Sequence, residues 1–358
     1  MNRVSMRRLL IGPIALVLLA ASARLGADAE DLLHARLADY LESLRIQAGI
    51  PGLAAALVGR NDIVWERGFG LQNVERAMVM RTDTPVPIDG LTQSVTASLV
   101  LRCAEEGRLS LTDRVALFDS SSPDAELTLW QLLTHTGTTA DSQAFAYRPD
   151  RLGPLASAVA ACRNDTFFEV VKDLLIDHAM MDTIPGSDAA SVLPPVRGRP
   201  DPDTDRWAQA LTRLATPYAV DQLRRSTPSS YPTAPLTAAG GLISTVRDLA
   251  QFDLSLKRGI LLRPDTVALA WRPFAGPSGQ RLPHGPGWFV QTYNGEPVAW
   301  QFGQVENAAS VLTVTAPARG LTLILLANSV GLVKPFPMAA GDVTVSPFAR
   351  VFLGLFVR

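Results

Sequence analysis

The chain has 358 residues, 47% of them hydrophobic, and its 33 basic and 34 acidic side chains leave a formal net charge of -1. That is enough apolar material for a large core in one or two domains. The charge is too balanced for nucleic acid or an anionic membrane surface to be an expected partner.

At the N-terminus, Arg3, Arg7 and Arg8 precede an apolar run over residues 9–20. The run is shorter than the roughly 20 residues that span a bilayer. Small-residue patterns follow at Ala21-Ser22-Ala23 and Ala27-Asp28-Ala29. Together these predict a signal peptide over residues 1–29, cleaved after Ala23 or Ala29, rather than a lasting membrane span. The mature protein is expected in a bacterial periplasm or outside the cell.

Residues 30–48 carry apolar side chains at helical spacing, from Leu32 and Leu33 to Leu44 and Ile46, and Gly49-Ile50-Pro51-Gly52 ends the pattern. Residues 53–58 and 63–68 read as paired strands around the turn Gly59-Arg60-Asn61-Asp62. Residues 90–106 form a predicted helix stopped at Gly107, and residues 128–133 and 154–164 are also helical. Prolines 194, 195, 200 and 202, and three more over 227–235, mark loops or boundaries rather than helix interior. Residues 244–258 return to helix. Strands follow over 287–293, 298–302, 308–314 and 320–327, and a helix over 347–357 closes the chain. Two strands early and four late imply one sheet assembled from both ends of the chain, with a helical middle inserted, an α/β or α+β architecture of two lobes.

Cys103 and Cys162 fall on two of the predicted helices. In an exported protein they could form one disulfide, but two buried thiols in a large core is the simpler expectation, because spacing alone does not bring their Cα atoms together. His34, His135, His178 and His284 are scattered, with no H-E-x-x-H or Cys/His cluster to hold a metal. No G-x-S-x-G elbow and no phosphate-binding loop is present.

The segment Pro87-Ile88-Asp89-Gly90-Leu91-Thr92-Gln93-Ser94 and its continuation to Asp113 resembles the signature region of the serine β-lactamase and penicillin-binding-protein-like hydrolases. Further blocks are similar to the same family: Trp65 to Gly70, Leu132-Leu133-Thr134-His135-Thr136-Gly137, Met180-Met181-Asp182-Thr183, Ala239 to Leu249, and the late strand beginning at Gly320. The resemblance implies an α/β (α+β) fold of the β-lactamase/DD-peptidase type, an antiparallel sheet flanked by helices plus a mostly helical lobe. The sheet lobe would take roughly 30–90 and 240–358, the helical lobe roughly 91–239, with the active site in the cleft between them. It also implies acyl transfer without a cofactor or metal: hydrolysis of penicillins or cephalosporins, of peptidoglycan peptides, or of esters.

Acyl transfer needs an activated hydroxyl, a proton acceptor and donors for the oxyanion. The family's S-x-x-K corresponds here to Gly90 and Gln93, which offer neither nucleophile nor base. The residues three before Lys172, Lys257 and Lys334 are Glu169, Leu254 and Gly331, so the motif occurs nowhere else. Y-x-N corresponds to Tyr147-Arg148-Pro149, keeping only the tyrosine, which is expected as a packing aromatic of the cleft. K-T-G or H-x-G corresponds to Gln301-Phe302-Gly303, keeping only the glycine. Ser94, one turn beyond Gly90, is the candidate replacement nucleophile, with a helix hydroxyl bonded to a backbone carbonyl as the plainer expectation. The backbone N–H groups of Gly90 and Gln304 would still form the family's oxyanion hole, so Gly90, Tyr147 and Gln304 are the candidate ligand-binding positions. The expectation is therefore an exported, catalytically inactive relative acting by binding or scaffolding. Candidate partners are a peptidoglycan peptide, a small acyl ligand or another protein. The alternative is a working serine-type hydrolase with a rearranged site.

Overall fold

The computed structural model describes residues 12–137, 144–189, 201–276 and 279–357. Helix α1 (Gly12–Gln47) leads into strands β1 (Gly52–Val58), β2 (Ile63–Asn73) and β3 (Met78–Val79). Near the other end of the chain come β4 (Phe289–Tyr293), β5 (Glu296–Val305), β6 (Ala309–Ala316) and β7 (Leu321–Ala327). These strands form one seven-stranded sheet in the order β4-β5-β6-β7-β1-β2-β3. Every pairing is antiparallel, and β1 joins the two halves by pairing with β7 through Leu53–Ala327 to Val58–Thr322. The sheet is thus built from both ends of the chain.

Strand β1 is buried along its whole length because both faces of the sheet are covered. Its odd residues, Leu53, Ala55 and Leu57, share an apolar cluster with Leu37 and Leu41 of α1 and with Phe348 and Phe352 of α6 (Pro347–Phe356). Its even residues, Ala54, Ala56 and Val58, join Val95 and Val100 of α2 (Thr92–Glu105) and Leu249 of α5 (Val246–Lys257). Full burial of each large side chain contributes about 1.5–3 kcal/mol, and that double-sided packing explains why β1 and β7 read as continuous apolar runs.

Helix α2 is buried from Thr92 to Leu101, polar residues included. A short three-stranded sheet sits beside its start, with Leu242–Ser244 between Val86–Pro87 and Ile184–Pro185. It anchors the approach to α2, where the Ile88 N–H donates to the Leu242 carbonyl at 2.9 Å.

One expectation is corrected. Cys103 and Cys162 form a disulfide, because α2 packs against α3 (Gly153–Arg163) and brings their Cα atoms to 6.3 Å. Free thiols were the expectation only because that packing is a through-space fact. The proline-rich middle also contains a helix, Pro202–Thr212. Pro202 starts it, where a missing N–H costs nothing, and the Asp201 side chain caps it by accepting from the Asp203 N–H. Prolines 194, 195 and 200 lie outside the described residues. A further helix, α4 (Phe167–Asp177), carries an apolar face that the sequence reading passed over.

Candidate active site

The cleft lies where the N-terminal end of α2 meets β5. Gly90 is in the 3-10 turn Asp89–Leu91 that opens α2. Gly90, Gln93, Tyr147, Pro149, Gly303 and Gln304 all line one cavity of about 270 Å³ with Asp89, Phe302 and Gly240. Gln301 lies outside it. Its side chain is wholly buried, its Nε2 directed at the Gly287 carbonyl at 3.4 Å and its Oε1 accepting from the Phe302 N–H.

Backbone meets backbone at Gly90. A Cβ added there would lie 2.7 Å from the Phe302 carbonyl oxygen, and one added to Gly303 would lie 2.0 Å from the Ile88 carbonyl oxygen. The glycine at position 90 therefore removes more than a hydroxyl. It lets β5 close on the 88–90 segment to a distance that a side chain at 90 would prevent.

Gln93 holds the next layer. Its Nε2 donates to the Tyr147 hydroxyl at 2.8 Å, and its Oε1 lies 3.2 Å from His135 Nε2. His135 Nδ1 accepts the Arg148 backbone N–H at 3.2 Å, which places the ring proton on Nε2 and makes His135 the donor to Gln93. Burial holds His135 down to about 4, so the ring is neutral at pH 7. Burial likewise pushes the Tyr147 phenol up and keeps it protonated. The His284 ring packs edge-on against His135, centroids 4.6 Å apart, and burial keeps it neutral too. His135 has no lone pair left to take a proton from a substrate, because Nδ1 is already an acceptor and Nε2 carries hydrogen.

Tyr147 packs against Phe289 and Phe302, with ring centroids at 5.1 and 5.5 Å, as well as meeting Gln93. Ser94 is fully buried and donates to the Gly287 carbonyl at 2.9 Å. Its hydroxyl is committed to the protein interior, as the plainer expectation had it.

The Asp89 carboxyl shares the cleft with Gly90 and Gln304. The Asp89 carboxyl is raised by burial, and the opposing influence comes from the backbone N–H groups of Gln304 and Gly90. Gly240 leaves room for it, since a Cβ there would lie 2.8 Å from Asp89 Oδ1. Asp89 sits at φ 39°, a left-handed conformation costly for a residue with a Cβ. Asp89 and His135 are the two site residues the sequence reading missed. The only sequence signal for Asp89 was its place beside Gly90, and His135 carried the signature of a structural segment.

A seven-stranded antiparallel sheet covered by helices, with a cleft at the start of a buried helix, is a fold of the β-lactamase/DD-peptidase type. Within that class, the chain belongs to the Beta-lactamase family, whose model matches residues 35–344. Among solved structures, it is similar to the octameric penicillin-binding protein homologue from Pyrococcus abyssi, at 20% identity and TM-score 0.70, covering 89% of this chain and 77% of that one. It is also similar to a Beta-Lactamase/D-Alanine Carboxypeptidase from Pseudomonas syringae, at 16% identity and TM-score 0.69, covering 90% and 99%. A D-amino acid amidase from Ochrobactrum anthropi SV3 matches at 16% identity and TM-score 0.66, covering 84% and 91%. At these identities the likeness is one of fold. No curated protein matches the chain.

Proposed function

We propose that this chain is a non-acylating member of the Beta-lactamase family, exported to the cell envelope and acting there by binding rather than hydrolysis. The observation that carries the reading is the state of the nucleophile position. Gly90 has no side chain to acylate, and no space for one against the Phe302 carbonyl. Three further features support it. Gln93 is locked between Tyr147 and His135, Ser94 is spent on a backbone carbonyl, and Asp89 lines the cleft beside Gly90 and Gln304. Removing a nucleophile or its base alone costs several powers of ten in rate, so losing both leaves little of the family's chemistry.

Export is supported by the basic and apolar start of the chain and by the Cys103–Cys162 bond, a type of link that persists in oxidising compartments. Among the described residues, no helix is long and apolar enough to cross a membrane. A peptidoglycan peptide, a small acyl compound or a partner protein is the class of ligand this reading carries.

The test is covalent labelling of the purified mature protein by a fluorescent penicillin and by a fluorophosphonate, with turnover of a chromogenic cephalosporin and a nitrophenyl ester followed in parallel. The expected result is no label and no turnover. A stoichiometric adduct would overturn the reading, and mapping it by mass spectrometry would show which residue took over from Gly90.

A further inference from the structure

A second cavity exceeds the cleft in volume. A pocket of about 550 Å³ opens at the other end of β5, near Pro297, and shares no lining residue with the cleft. Pro297 is six residues from Gly303, which places the two openings about 20 Å apart at the usual rise of a strand. The pocket is walled by the β1–β2 turn, the C-terminal end of α5, the helix Pro264–Ala270 and the β6–β7 turn.

Its two halves differ in chemistry. The floor is apolar, made by Leu256, Val267 and Trp271, with exposed Ala268 at its edge. The rim carries Arg60, Arg258 and Arg272, all exposed, and no carboxylate lines the pocket. Lys257 is also at the wall, but its charge is spent: Nζ meets buried Asp253 at 2.7 Å and donates to the carbonyls of Val58 and Gly59. The rim arginines have no such compensation. Arg60 donates to the Ala318 carbonyl at 3.1 Å and Arg258 to the Asn61 carbonyl, contacts that orient the guanidinium groups without neutralising them. Arg272 has no hydrogen-bond or ion-pair partner among the described residues. Gly320 makes room for the Arg60 stem, since a Cβ there would lie 2.4 Å from Arg60 Cγ. The nearest acidic side chain on the neighbouring strand, Glu296, is closed on Arg319 at 2.6 Å.

From this arrangement we infer that the pocket is a binding site for an amphiphilic anion, an apolar body seated on Trp271 and Val267 with a terminal oxyanion held by Arg60, Arg258 and Arg272. A guanidinium fork matches a carboxylate or a phosphate, and the pocket has the volume of ordinary small-molecule sites. A free carboxylate amphiphile and a lipid-derived phosphate present the same chemistry here. The inference is independent of whether the cleft hydrolyses anything.

The probes are decanoate and decyl phosphate, below their micellar concentrations, titrated into the full mature protein by calorimetry, with decanol as the neutral control. Saturable binding of one anion per chain is expected, weakening with added salt. Arg60→Ser with Arg272→Ser should weaken it by about tenfold or more, and Ala268→Trp, which blocks the pocket from its exposed edge, should abolish it. Ala239→Trp, placed in the cleft instead, should leave it unchanged. Preference between the two anions would identify the source of the ligand, and either preference supports the site. Decanol binding as tightly as decanoate, no loss in the arginine variant, loss only in the cleft variant, or no saturable binding would each overturn the inference. Circular dichroism of every variant separates lost binding from lost folding.

Discussion

Gly90→Ala is the substitution whose sign the structure decides. In the first turn of a helix, replacing glycine by alanine ordinarily stabilises by about 0.5–1 kcal/mol, because the unfolded chain loses freedom. Gly90 needs no left-handed conformation, so that gain would apply here if the methyl group had room. The structure denies it room. The new Cβ would lie 2.7 Å from the Phe302 carbonyl oxygen, 3.3 Å from Gln93 Nε2 and 3.4 Å from Gly303 Cα. The first of these is backbone in the middle of β5, where Phe302 pairs with Leu312, so relief requires shifting a strand rather than turning a side chain. Overpacking of this kind costs about 1–3 kcal/mol, which outweighs the propensity gain. Chemical denaturation of the mature protein should therefore give a lower midpoint for Gly90→Ala at an unchanged denaturant slope. Gly90→Ser should behave alike, so that grafting Gly90→Ser and Gln93→Lys together yields no penicillin adduct. A midpoint at or above wild type for Gly90→Ala would refute the closed-contact reasoning and remove the steric part of the case for an inactive site.

Two further outcomes follow from buried chemistry elsewhere. Asp248 Oδ2 accepts from the Asp182 N–H and the Thr183 hydroxyl, both at 2.8 Å, yet burial raises its carboxyl from 3.8 to about 6. A folded-state value above the unfolded one favours the protonated form, so this contribution is complete below about pH 4 and is lost as pH rises through about 6, a change of about 3 kcal/mol. Denaturation at pH 4, 5, 6 and 7 should show the stability of Asp248→Asn gaining on wild type by about that amount as pH rises, and a constant difference would contradict it. The Cys103–Cys162 link spans 59 residues, and its loss should cost about 2–4 kcal/mol. Alkylation and mass spectrometry of the unreduced protein should find no free thiol, and the Cys103→Ser, Cys162→Ser variant should unfold at lower denaturant. Two alkylated thiols without prior reduction would remove the bond.

Where a residue's environment is set by its immediate neighbours in the chain, the sequence was a sufficient guide. Apolar runs located β1 and the four late strands to within a few residues, because a strand covered on both faces can tolerate little else, whereas the mostly half-buried β2 runs five residues past its expected end at 68. Gly107 marked the end of α2, a glycine at φ 70° just past the last helical turn. The altered motif positions were legible for the same reason, since a missing hydroxyl or amine is a property of the residue itself. Tertiary structure alone decided the rest. The Cys103–Cys162 bond depends on how α2 packs on α3. The exclusion of Gln301 from the cleft depends on where its buried amide is taken up, against the Gly287 carbonyl and the Phe302 N–H. Asp89 and Gln304 line one cleft only because a strand more than 200 residues later closes on the turn that carries Asp89, and no pattern within either segment encodes that meeting.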